Sequence, residues 1–101
     1  MVIKKEIIKQ LSKRLSLPYT GTEQDWDIEM ADATRINFFL HYFCNNKLSE
    51  EERFALMSLI IASYDDYLNE YEINADEIWN TIKTILEKER SLYSEIINYW
   101  A

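Results

Sequence analysis

Pro18 and Gly21 are the only proline and the only glycine among 101 residues, and both fall in one five-residue stretch, Leu17 to Gly21. A sheet built from hairpins needs glycine, proline or Asn-Gly at many turns, so a chain punctuated once is restricted to helices joined by few loops. Hydrophobic residues make up 48% of it, enough for a core and too many for a disordered or collagen-like chain. The length suits a single helical domain, residues 1–101, without room for a separate catalytic lobe.

Apolar spacing predicts where the helices lie. Ile3, Ile7, Ile8, Leu11 and Leu15 form the stripe of an amphipathic helix over residues 2–16, with Lys4, Lys5, Lys9 and Lys13 turned away from it. Thr22 with Asp25 resembles a capping box. From there Trp26, Met30, Ala33, Ile36, Leu40 and Phe43 make one apolar line to about residue 44. That line predicts a single second helix with at most a mild kink; the alternative is that Asp32 caps a separate helix. Asn45-Asn46-Lys47 closes the segment, and Ser49 with Glu52 caps the next. Ala55 to Tyr64 carries no charge and only Ser58 and Ser63 as small polar residues, which predicts a central third helix surrounded by the others. Asn74 with Glu77 is a further cap pattern. Ile78, Ile82, Ile85, Leu86, Leu92, Ile96 and Trp100 then mark a long C-terminal helix with a bend near Glu89 to Ser91. An all-α fold follows, as a four-helix up-down antiparallel bundle.

Charge is divided unevenly along this scaffold. Met1 to Leu17 hold five basic residues and one acidic, a formal +4; Pro18 to Ala101 hold six basic and seventeen acidic, a formal −11. An acidic body attracts cationic partners and repels nucleic acid, so a basic protein partner is expected and no nucleic-acid role is. The basic first helix reads as a core helix with solvated lysines, not a membrane-surface helix. The N-terminus lacks the apolar run of a signal peptide, and Phe54 to Ser63 is too short to span a bilayer. With a lone cysteine, Cys44, expected to be a buried thiol beside Phe43, a cytoplasmic location is expected.

Most carboxylates have a structural reason. Glu23, Asp25, Glu50, Glu51, Glu52, Asp76 and Glu77 lie at predicted helix N-termini, where the macrodipole favours negative charge. Asp65, Asp66 and Glu70 fall in or just after the last predicted turn of the third helix, where it does not. They belong to the segment Tyr64-Asp65-Asp66-Tyr67-Leu68-Asn69-Glu70-Tyr71-Glu72-Ile73, with four acids, three tyrosines and no base. Aromatic anchors hold a partner while carboxylates steer a basic one, so Tyr64, Asp65, Asp66, Tyr67, Glu70, Tyr71 and Glu72 form the leading partner-binding candidate. Asp25, Glu29 and Asp32, spaced four and three, form a second stripe on one helix face, although Asp32 can also pair with Arg35.

No catalytic or cofactor pattern accompanies these residues. His41 and Cys44 can share a helix face, but Phe38, Phe39, Tyr42 and Phe43 surround them and no third orienting group is evident. There is no calcium loop, no His-Glu-x-x-His and no Glu-x-x-His pair, and one glycine cannot build a phosphate-binding loop. No enzyme activity, no metal and no cofactor are expected.

Gln24-Asp25-Trp26-Asp27-Ile28-Glu29, then Asp32 with Arg35-Ile36, Ala55-Leu56-Met57, Ile60-Ile61-Ala62-Ser63-Tyr64-Asp65-Asp66 and the closing Ile97-Asn98-Tyr99-Trp100 together resemble small acidic helical proteins of bacteria. In general character the chain is similar to the acidic four-helix immunity proteins of nuclease colicins, in size, acidity and helix count. The resemblance implies a protein that neutralises a basic toxin by contact; no functional residue is carried over from it. The rival expectation is a structural or regulatory helical subunit of an assembly or a homodimer.

Overall fold

A computed structural model describes residues 3–22, 25–71 and 76–100, of which 71, 76 and 100 are described in backbone only. The fold is all-α, with no strand among the described residues. Its helices are α1 (Lys5–Arg14), α2 (Trp26–Glu29), α3 (Ile36–Asn45), α4 (Glu50–Tyr71), α5 (Asp76–Lys88) and α6 (Ser94–Trp100), with a 3-10 turn, Ala33–Arg35, leading into α3. Among the described residues six helices thus stand where the periodicity predicts four, because the second and last predicted helices are each interrupted. Among the described residues, no helix is long and apolar enough to cross a membrane.

α4 begins as its sequence dictates. The Ser49 N–H donates to Glu52 Oε1 (3.0 Å) and the Glu52 N–H donates to Ser49 Oγ (3.2 Å), a complete capping box. Phe54 to Met57 and Leu59 to Ser63 are all buried, so the helix is covered on every side over this stretch. It contacts α1, α2, the 3-10 turn and α3, while Ile82, Leu86, Tyr93 and Ile96 of the C-terminal third join the same core. Each fully buried Leu or Ile contributes about 1.5–3 kcal/mol.

α1 buries Leu11 and Leu15, packs Ile3, Ile7 and Ile8 against the core and leaves Lys4, Lys5, Lys9 and Lys13 exposed, as its stripe predicts. It ends in a Schellman motif. The Leu17 N–H donates to the Ser12 carbonyl (2.9 Å) and the Ser16 N–H to that of Lys13 (3.3 Å), which places Ser16 in the left-handed region at φ 54°. Gly21, at φ 94°, turns the loop that follows.

The second predicted helix is broken, and Asp32 breaks it. α2 starts at Trp26, with Asp25 rather than Thr22 at its cap, and lasts one turn. Asp32 is extended (φ −148°), and its Oδ1 accepts from the Thr34 N–H (3.0 Å) and the Thr34 hydroxyl (2.6 Å), capping the 3-10 turn. The Asp32 N–H, which a continuous helix would satisfy, donates instead to the buried hydroxyl of Ser63 (3.0 Å). Met30, Ala33, Ile36 and Leu40 remain buried across the break, so the apolar line is continuous while the helix is not. Arg35 does not pair with Asp32. Its guanidinium lies over the rings of Phe38 (4.8 Å) and Phe39 (5.2 Å) and donates to the carbonyls of Leu15 and Ser16, which the end of α1 leaves open.

The C-terminal helix is divided rather than bent. At residues 89–93 the chain makes a turn in which the Glu89 carbonyl accepts from the N–H groups of Leu92 (3.0 Å) and Tyr93 (3.2 Å). The Glu89 carboxylate receives Arg53 of α4 through Nε and Nη2, both at 2.8 Å, and Arg53 Nη1 donates to the Leu48 carbonyl (2.6 Å). This bidentate pair fastens the turn to the start of α4. The proposed Asn74 cap lies outside the described residues.

Candidate functional site

The distal part of α4 passes from core to surface. Ser63 is buried, Tyr64 and Tyr67 are half-buried with their rings against the core, and Asp65, Asp66 and Glu70 are exposed. Among the described residues no lysine or arginine pairs with any of these three carboxylates. α4 continues to Tyr71, so Asp65 and Asp66 stand more than a turn before its end. The unfavourable dipole, which fades within the last turn, acts on Glu70 alone. That corrects the position read from the sequence. A different repulsion takes its place: Asp66 and Glu70 are like charges four apart on one helix, destabilising by about 0.2–0.5 kcal/mol.

Trp79 of α5 completes this surface and escaped the sequence reading. Its ring stacks on that of Tyr64, with centroids 5.8 Å apart and planes 21° apart, while the residue remains 42% exposed. Leu68, one turn beyond Tyr64 on α4, is also 42% exposed. Together Trp79, Tyr64 and Leu68 form an apolar ridge beside three carboxylates. The signal for Trp79 was present: it sits one residue past Ile78, off the stripe through Ile82 and Ile85, where a large aromatic lands at the edge of the buried face. Tyr71 belongs to α4 by its backbone, and its side chain and Glu72 lie outside the described residues.

The second stripe is not one face. Asp25 is the N-cap residue of the single turn of α2 and Glu29 is its last residue, with the Asp25 N–H donating to Glu29 Oε2 (3.0 Å), and Asp32 lies beyond it as the cap of the next segment. Glu29 and Asp32 therefore have local structural work, and Asp25 is exposed.

Cys44 is exposed rather than buried. At 100° per residue it stands about 90° from the centre of the stripe made by Ile36, Phe39, Leu40 and Phe43, so helical phase outweighs its apolar neighbours in sequence. His41 is exposed as well, with Nδ1 3.3 Å from Asn45 Nδ2. Among the described residues, no group of three or more His, Cys, Asp or Glu is placed to hold a metal ion.

Two perturbed groups, Tyr93 and Glu52, belong to contacts that hold the fold together. Burial, then the Glu89 charge, pushes the Tyr93 hydroxyl up to about 12; hydrogen bonds from Ser49, then from Arg14 (2.7 Å), hold the Glu52 carboxyl below its ordinary range. The distal α4 surface is suited to contact, with apolar area for anchoring and charge for steering. Comparison of the chain with protein-family models, with curated proteins and with solved structures finds no match.

Proposed function

We propose that this chain is a non-catalytic acidic binding protein, most concretely a bacterial, cytoplasmic immunity protein that neutralises a basic toxin domain by protein–protein contact. The observation that carries the reading is the ridge of Trp79, Tyr64 and Leu68 beside the carboxylates of Asp65, Asp66 and Glu70, with which no lysine or arginine pairs among the described residues. A solvated helix end needs neither a half-exposed tryptophan stacked on a tyrosine nor adjacent like charges without a counter-ion. An interface uses both, since aromatic anchors contribute most of the binding energy and surface charge raises the association rate. Tyr67, Tyr71 and Glu72 belong to the same proposed surface, and Asp25, Glu29 and Asp32 to its proposed extension. The four-helix up-down arrangement is part of this reading too: α2 with α3 counts as one arm, and α5 with α6 as another.

Co-expression with the product of the adjacent gene, scoring growth rescue and co-purification, tests the proposal. In the complex, replacing Asp65 and Asp66 by Asn and Glu70 by Gln lowers the association rate about tenfold at low salt and flattens its salt dependence. An unchanged rate rejects this surface. A tight homodimer indifferent to salt, seen by sedimentation of the protein alone, would support the structural-subunit reading instead.

A further inference from the structure

The two most exposed large apolar side chains in the described residues are Tyr99 (69%) and Ile28 (50%), and both line one cleft of about 240 Å³ between α2, α4 and α6. Phe54 and Ile96 supply further apolar lining, and both belong to the core cluster. Asp25, Asp27 and Glu95 contribute carboxylates, and no basic side chain is among the lining residues. Asp27 is half-buried, and burial first, then the neighbouring charge of Asp25, raises its carboxyl above the ordinary range despite backbone N–H donors. Among the described residues it has no ion-pair partner. A partly desolvated acid without a cation, beside an exposed aromatic ring and apolar walls, is an incomplete arrangement.

We infer that this cleft receives an arginine side chain of a basic protein partner, its methylene stem against Ile28 and Phe54, its guanidinium between the Asp25 and Asp27 carboxylates and against the Tyr99 ring. Arginine fits better than lysine because a planar guanidinium both stacks on an aromatic face and donates to two carboxylates at once, whereas an ammonium is a strongly hydrated point charge. The site is built from α2 and α6 on the proximal half of α4, so it is separate from the Tyr64–Trp79 ridge. It rests on the proposed function only for the nature of the natural partner.

The test uses acetylated, amidated tetra-arginine titrated into the ¹⁵N-labelled full chain. Saturable amide shifts are expected at residues 25–28 and 95–99, with tetra-lysine binding several-fold more weakly. Asp27→Asn weakens binding about tenfold and Tyr99→Ala about threefold. Both variants keep the fold, since one removes a charge that burial disfavours and the other truncates a mostly exposed ring; spectra of the free proteins verify this. Asp66→Asn, with the same loss of charge, changes affinity less than about twofold. Shifts scattered over the acidic surface, equal binding of tetra-lysine, equal loss in Asp66→Asn, or no saturable shift overturns the inference. If the cleft binds the peptide while the ridge variants leave partner association unchanged, the cleft stands and the ridge reading falls.

Discussion

Replacing Glu89 by Gln tests how the C-terminal third is held. Arg53 and Glu89 form two parallel bonds of 2.8 Å, which puts the charge centres about 4 Å apart, where Coulomb attraction is worth about 1 kcal/mol in water and about 4 kcal/mol at an effective dielectric of 20. The side chains are 26% and 38% exposed, so solvent screening removes much of the larger figure. A coupling of about 1–1.5 kcal/mol is the expected remainder, at the upper end for partly exposed pairs because the geometry is bidentate. Arg53→Met should cost about 1 kcal/mol more than Glu89→Gln, since it also strips the donor from the Leu48 carbonyl. Urea denaturation of both single variants and the double variant closes the cycle. At about 4–8 °C per kcal/mol, the Glu89→Gln melting temperature falls by several degrees. Raising the salt to 0.5 M should shrink the coupling. A coupling below about 0.3 kcal/mol would refute the idea that this pair, rather than apolar burial alone, fastens the α5–α6 turn.

Ser16→Gly should stabilise the protein by about 1 kcal/mol, because Ser16 occupies the left-handed cap position at φ 54°, where a Cβ is unfavourable; a lower melting temperature would contradict it. Tyr93→Phe should be within about 1 kcal/mol of the parent at neutral pH, since among the described residues the buried Tyr93 hydroxyl has no partner at full hydrogen-bond geometry, although the Arg53 guanidinium lies close enough to favour its ionised form and the Glu89 charge opposes it. The same variant should flatten the alkaline limb of stability. The folded chain holds the Tyr93 proton up to about 12 while the unfolded chain releases it near pH 10. Stability from this group is therefore full below about pH 10 and is lost by up to about 1.4 kcal/mol per pH unit as pH rises to about 12. Urea titrations at pH 9 and 11 check the difference in slope.

Where sequence patterns reflect local forces, they read directly onto this fold. The Ser49–Glu52 capping box, the lysine face of α1 and the uncharged run of α4 each depend on residues within one short stretch of chain. The break at Asp32 depends on Ser63, 31 positions away, and the buried apolar line runs through it undisturbed, so periodicity alone points to the wrong alternative. The turn at Glu89 likewise depends on Arg53. Half of the candidate site was legible for the same reason: the acid–tyrosine segment is contiguous, whereas Trp79 joins it only by stacking across helices. Helix length misled the electrostatics, because α4 continues past Asp66 and moves the dipole's negative end away from it.

Ser12 and Ser63 are the buried polar residues among the described residues; the Ser12 hydroxyl accepts from the Trp26 indole N–H (2.8 Å) and the Ser63 hydroxyl from the Asp32 backbone N–H. A rod greasy all the way round can spin or slide among aliphatic neighbours at little cost. Turning α4 by one position would strand the Ser63 hydroxyl among hydrocarbon and orphan an amide, a penalty of about 1–3 kcal/mol for each group. The Ser63 oxygen thus acts as an index pin, selecting a single azimuth and a single depth for the helix that everything else surrounds, while the Ser12 oxygen does the same for α1 against α2.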